Sequence, residues 1–378
     1  MKHSTYAVIL AATLGSSCIS AAETAEMSKE KQAVQHYTEI VYANYRDCLK
    51  TAEDLQVKIN SFIVNPSDKT LQDAKSAWLV SRKPYGQSEV FRFYSGPIDD
   101  EDGPEGQLNA WPLDESYIES DGALKGIIND AKKYPEITAD LLKSLNEKEG
   151  EENISTGYHA IEFLLWGVDT SATEPGSRPV SDFTTDTAAD RRKIYLKAVT
   201  ELLVNDLKHL QNEWAPNQKN YRAQFVAMDP KTSVQHILNG IGMLSGFELA
   251  RERVDVPLSS MSQEDEHSCF SDNTHNDIIY NALGIQNVFE GRYDGVHFDV
   301  EKGVSVKSLF SNADDLSKSI NQSVELAKGL KAPFDQLIIE SNTEGRASVK
   351  AVVDSLSEQA KKISSASSAI GIQINIEE

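Results

Sequence analysis

Positive charge is scarce in this chain: 37 lysines and arginines stand against 58 aspartates and glutamates, a formal net charge of −21 over 378 residues. So acidic a surface repels phosphate backbones, which excludes nucleic acid as a partner and favours cations, metal ions included. Cysteine is nearly absent, with three in the whole chain. No disulfide framework can therefore carry the fold, and stability must come from apolar packing. Beyond the N-terminus no apolar run approaches the length that crosses a bilayer. Strand-like alternation is confined to short pieces such as Gly295-Val296-His297-Phe298. Also missing are a Gly-rich phosphate loop, a Ser-nucleophile elbow and the His-Glu-x-x-His of zinc proteases.

The chain does carry an N-terminal leader pattern. Lys2 and His3 precede an apolar run from Tyr6 to Leu14, and small residues follow through Ser20-Ala21-Ala22. This reads as a secretory signal peptide over 1–22, cut after Ala22, and predicts a periplasmic or cell-envelope protein. Lipid anchoring at Cys18 is the lesser reading, because Leu14 stands four residues before the cysteine where three is usual. Any membrane attachment would be that N-terminal tether. Cleavage leaves Cys48 and Cys269, which in an oxidising compartment could pair or stay free.

Helical periodicity dominates the remainder. Val34, Tyr37, Val41, Tyr45, Cys48, Ala52, Leu55, Ile59 and Phe62 step by three and four and predict one long helix ended by Asn65-Pro66. Ser67 or Asp68 caps the next, which carries Trp78, Arg82, Tyr85 and Glu89 on one stripe. The acidic stretch 95–105 reads as a loop. Helices follow at about 115–132, 135–147, 153–166, 189–214, 232–253, 276–288, 312–330 and 343–367, with a Ser/Thr/Pro-rich excursion between 167 and 188. The length and the repeated order of long helix, helix and polar insertion predict an all-α protein of two related helical-bundle domains, 23–185 and 186–378, an internal duplication read from helix pattern.

One segment concentrates the chemistry. In Gly157-Tyr158-His159-Ala160-Ile161-Glu162-Phe163-Leu164-Leu165-Trp166, His159 and Glu162 are the only strongly polar side chains from 159 to 166. They stand three residues apart on one face of a helix that is apolar on every other face and must therefore be buried. A buried carboxylate needs a cation, a donor or a metal. Imidazole and carboxylate are ordinary ligands for zinc, iron and copper. Two ligands are not a site, and the stripe with Arg82 and Glu89 is the best source of more. Alternatively, His159 and Glu162 bond to each other or to Arg82 as an interior network without a ligand.

Gly157-x-His159-x-x-Glu162 matches the GxHxxE signature of the imelysin-like family, also called the M75 peptidase family, and the resemblance extends over most of the chain. Trp78, Arg82, Pro84 and Tyr85 are similar to that family's first-domain helix. The block His267-Ser268-Cys269-Phe270-Ser271-Asp272-Asn273-Thr274-His275 resembles its iron-regulated protein A branch. The resemblance implies an extracytoplasmic protein linked to bacterial iron uptake and to its cell-envelope components. It implies a metal ion, iron before zinc or copper, held by His159, Glu162, Glu89 and Asp114. Arg82 and Tyr85 would orient the carboxylates, and Gly157 would let a neighbouring helix approach. A departure stands at Gly86, where a related branch often has an acid. The peptidase label finds no hydrolytic zinc motif here, so a carrier is the leading reading and a metal-dependent enzyme, peptidase or oxidoreductase, the alternative. Glu264, His267 and His275 could form a second site, although the polar block around them reads first as a loop capping the helix near His275.

Overall fold

The computed structural model describes residues 27–123, 125–171, 173–331 and 333–377, so the leader and Cys18 lie outside the described residues. Helix α1 (Lys29–Val64) starts at a Ser28 cap and stops at Asn65. Pro66 follows, and its missing N–H and fixed φ forbid continuation. Helix α2 (Asp68–Ser88) opens with a capping box in which Ser67 and Thr70 satisfy each other's backbone N–H groups, and passes at Glu89–Phe91 into a 3₁₀ turn. Pro84 sits inside α2, and its carbonyl accepts a 2.9 Å bond from Asn44 of α1.

Short helices α3 (Glu105–Asn109), α4 (Glu115–Ile118) and α5 (Ala139–Leu145) lead to the buried α6 (Gly157–Trp166). The helices expected at about 115–132 and 135–147 shrink to α4 and α5. Asn129 reaches back to the Ser120 N–H and to Asp121, and Asp130 takes the N–H groups of Lys132 and Lys133, side-chain bonds that replace helical ones. Pro135 then postpones the next helix to a Thr138 cap.

The second half runs α7 (Ala189–Glu213), α8 (Tyr221–Ala227) and α9 (Pro230–Met243), then a π-helical stretch Leu244–Asp255. After it come α10 (Val256–Ser260), α11 (Thr274–Glu290), α12 (Ala313–Gly329), α13 (Asp335–Ile338) and α14 (Thr343–Ala369). Among the described residues there is no sheet, only an isolated bridge between Tyr293 and Val300. The fold is all-α.

Helix α1 packs on α2 and α7, α2 on α11, and α14 along the π stretch and α12. One apolar cluster runs from Val34 to Ile372, so residues before and after 185 contribute to a continuous core. Cys48 and Cys269 are both free thiols. Helices α2 and α11 meet at Gly86: a Cβ there would stand 2.7 Å from Tyr280 Cβ. That approach leaves no room for a carboxylate at 86 beside Tyr280.

Candidate functional site: two buried histidine–carboxylate pairs

Trp78 on α2 donates from Nε1 to the Tyr158 carbonyl at 3.0 Å and stacks edge-on against Trp166, so α2 holds both ends of α6. At the start of α6, Gly157 adopts φ +83°, and a Cβ would lie 2.6 Å from the Leu108 carbonyl oxygen of α3. Only glycine combines that φ with that approach. Gly157→Ala is expected to destabilise the fold by about 2 kcal/mol or more, from the left-handed strain plus the displacement of α3. A chemical denaturation midpoint equal to wild type would refute this.

Helix α6 delivers His159 and Glu162, both buried, with His159 Nδ1 and Glu162 Oε2 2.8 Å apart. The other Glu162 oxygen accepts from the Ser271 N–H at 2.9 Å and the Ser271 hydroxyl at 2.7 Å. Burial, with the nearby negative charge of Asp277, pushes the Glu162 carboxyl up to about 8 against the Ser271 bonds that favour ionisation. Burial, reinforced by the Arg82 and Arg253 charges, holds the His159 imidazole well below its usual range. At neutral pH the contact is therefore a hydrogen bond between uncharged partners, although its distance is that of an ion pair.

A second pair faces the first. His267 enters the core from the polar block, and its ring meets His159 edge-on with centroids 4.7 Å apart. His267 Nδ1 bonds Asp277 Oδ2 at 2.8 Å, and its Nε2 lies 3.3 Å from the Asn109 amide nitrogen. Trp111 packs edge-on against the same imidazole at 5.1 Å. Burial pulls His267 down to about 3, overcoming the attraction of Asp277. Burial alone would raise Asp277, but Arg82 and the bonds from His267 and Ser268 hold its carboxyl far below the usual range. Arg82 bonds Asp277 at 3.2 Å through Nη2 and Asn109 at 2.7 Å through Nη1.

A charged cluster adjoins. Glu89 accepts from Arg253 at 2.6 Å and Arg92 at 2.9 Å, and these arginines overcome burial to hold it at about 2. Arg253 also reaches Glu248 at 2.8 Å and pairs with Asn281 of α11. Residues 248 and 253 diverge on an α-helix, but the i→i+5 winding of the π stretch brings residues five apart together. Buried polar atoms without a hydrogen-bond partner here include His159 Nε2, Glu89 Oε1 and Tyr85 Oη, together with Tyr158 Oη and the Nε atoms of Arg92 and Arg253.

The structure thus brings together His159, Glu162, Arg82, Tyr85, Gly157 and His267, with Glu89 in the adjoining cluster. Arg82 orients Asp277 and Asn109 instead of the carboxylates expected. Asp114 stays out: it caps α4 through the Ser116 N–H at 2.9 Å. Glu264 is exposed on a 3₁₀ turn, and His275 lies in the first turn of α11 with Nδ1 unpartnered, so neither joins His267 in a separate centre. The polar block is more than a helix cap, since it inserts His267 and Ser271 into the core. Sequence reading missed Asp277, Asn109, Ser271, Glu248 and Arg253. Asp277 carried a signal, an acid on the buried face of α11 three residues ahead of Tyr280; the others had none. Among the described residues no three His, Cys, Asp or Glu side chains converge as a ready-made metal shell.

The imelysin (peptidase M75) family profile matches residues 41–363. Iron-regulated protein A of Synechococcus elongatus is 27% identical over 276 residues, 70% of this chain and 66% of that protein, so the chain spans less than two thirds of the relative's length. A protein named as an iron-regulated protein A precursor from Parabacteroides distasonis has a crystal structure that superposes with a TM-score of 0.65 at 19% identity, covering 89% of this chain and 97% of that one. An imelysin-like protein from Psychrobacter arcticus gives a TM-score of 0.65 at 17% identity, covering 93% and 98%. At those identities the likeness is one of fold.

Proposed function

The chain belongs to the imelysin family, and from that premise we propose that it is an extracytoplasmic iron-related protein that takes an iron ion, as cargo, at the buried histidine pair. The observation that carries the reading is His159: its Nδ1 is held by a carboxylate while its Nε2 is buried and unpartnered. A histidine that binds a metal through one nitrogen commonly gives the other to a carboxylate, which fixes the ring; here the ion would displace the Nε2 proton and leave Nδ1–H donating to an ionised Glu162. An imidazole nitrogen buried without a partner also costs about 1–3 kcal/mol, which an ion would recover.

On this reading His159 Nε2 is the protein ligand, and His267 lies beside it. Glu162, engaged on both oxygens, positions His159 and does not itself bind the ion. Glu89 Oε1 and Tyr85 Oη are further buried oxygens without a partner, and both are oxygen donors of the kind ferric iron accepts. Donors brought with the ion, such as those of a small chelate, would complete its coordination. The name of the Synechococcus relative supports iron over zinc or copper, and the leader pattern of residues 1–22 supports export. A carrier is favoured over a peptidase because Glu162, hydrogen-bonded to His159 through one oxygen and to Ser271 through the other, is not free to activate water.

Ferric citrate titrated into metal-stripped protein, followed by elemental analysis after desalting, is expected to give one iron per chain in wild type and none in His159→Ala. Retained iron in His159→Ala, or none in wild type, would sink this reading. Casein hydrolysis that disappears in His159→Ala would favour the enzyme.

A further inference from the structure

The histidine pair is shut off from solvent, and its walls are not equally thick. Among the described residues, the side chains in hydrogen-bond or ring contact with His159 and His267 are Glu162, Arg82, Asp277, Asn109 and Trp111. Glu162, Arg82, Asp277 and Asn109 are each at most 1% exposed. Trp111 alone of the five is half-buried. Its ring meets the His267 imidazole edge-on with centroids 5.1 Å apart, while part of the residue reaches solvent. One side chain therefore spans the distance between the buried pair and water.

The segment that carries Trp111 is fixed at its two ends and loosely held between them. At one end Asn109, the last residue of α3, accepts from Arg82 at 2.7 Å. At the other the Asp114 N–H donates to the Glu152 carbonyl at 2.9 Å. Residues 110–113 neither donate nor accept a hydrogen bond among the described residues, whether from backbone or side chain. Pro112 has no N–H to give. What holds the segment is apolar contact, Leu113 against the core and the Trp111 ring against His267. A stretch with no ladder hydrogen bonds opens locally at a lower free energy than the helices beside it. The remaining walls lack that freedom: Arg82, Glu162 and Asp277 stand within α2, α6 and α11, and each is bonded to a buried partner.

We propose that residues 110–113 are the gate of the histidine centre and that Trp111 is the side chain that must move before anything reaches His267 and, behind it, His159. The cargo of the gate rests on the iron reading above, whereas the gate itself rests on the packing of Trp111. Trp111 acts by obstruction and is not a ligand, since the indole N–H only donates. Moving the ring uncovers the imidazole it packs on, and the helices that orient the two histidine–carboxylate pairs keep their places. Such a gate governs entry and exit together, so its loosening changes both rates and leaves the affinity where it was.

The test uses the full mature chain, stripped of metal, at neutral pH. Diethyl pyrocarbonate transfers an ethoxycarbonyl group to an unprotonated imidazole nitrogen, and peptide mass mapping reads the rate at each histidine. Exposed His209 and half-buried His236 are the internal references. In wild type His267 should react far more slowly than His209. Trp111→Ala is expected to raise the His267 rate about tenfold and Trp111→Phe, which keeps part of the packing, about threefold, with His236 unchanged in both. Should Trp111→Ala fail to fold, Trp111→Phe decides. In stopped-flow mixing with ferric citrate, the variants should take up and release iron faster in the same order, at the stoichiometry and Kd of wild type. A wild type that binds no iron overturns the iron reading alone, because the reagent reads the gate without any metal. The gate is overturned by a His267 rate no faster in either variant than in wild type, by a parallel rise at His236, which would mean that the whole fold had loosened, or by iron binding that weakens with its association rate unchanged.

Discussion

Asp277→Ala is expected to cost about 3–5 kcal/mol of folding stability, because it strands the Arg82 guanidinium in the core with its charge uncompensated. Arg82 is 1% exposed and Asp277 1%. The loss is larger than for a surface ion pair because neither group can turn to water. Removing both partners at once, in Arg82→Met with Asp277→Leu, should restore much of the stability, since apolar replacements leave nothing unpaired. The pair also sets a pH sign. Asp277 has a folded pKa below its unfolded value, so its contribution is present above the usual carboxylate range and is lost as pH falls through and below that range. Urea midpoints for wild type, both single variants and the double variant form the cycle. Additive losses would mean that the two charges do not depend on each other.

In metal-stripped protein, Glu162→Gln is expected to be more stable than wild type at pH 9 and no more stable at pH 4.5. The Glu162 carboxyl is raised to about 8 in the fold, so between the unfolded carboxylate pKa and pH 8 the folded state binds the extra proton. Stability from this group is full at the acid end and falls as pH rises through that window. Glutamine keeps an amide nitrogen to donate to His159 Nδ1 and a carbonyl to accept from Ser271, and it cannot ionise. The difference at pH 9 should reach a few kcal/mol, each pKa unit being worth about 1.4. Parallel stability profiles for the two proteins between pH 5 and 9 would show that Glu162 is ionised throughout.

These two expectations concern residues that the sequence exposed to different degrees. Glu162 could be found because it interrupts an apolar helix, and a three-residue step to His159 is a local relation that any α-helix enforces. Asp277 could not be paired with Arg82 from sequence, since 195 residues separate them and their meeting depends on how α11 lies on α2. Arg253 and Glu248 were hidden more deeply. Read with α-helical periodicity they point apart, and only the π winding brings both toward Glu89.

What the sequence determined by itself is what is local: the long helices and their caps, the burial of α6 and the all-α class. Each follows from periodicity, a capping side chain or a steric limit acting within a few residues. The short helices α4 and α5 escaped it because side-chain bonds from Asn129 and Asp130 compete with the helix ladder and leave the apolar pattern unchanged. The tertiary structure decided the rest. It seated His267 against His159, turned Arg82 to Asp277, sent Asp114 to cap a helix and closed the space beside Gly86 with Tyr280. Those outcomes depend on which helix faces which, and a buried polar side chain announces only that it needs a partner. The partner is chosen by packing.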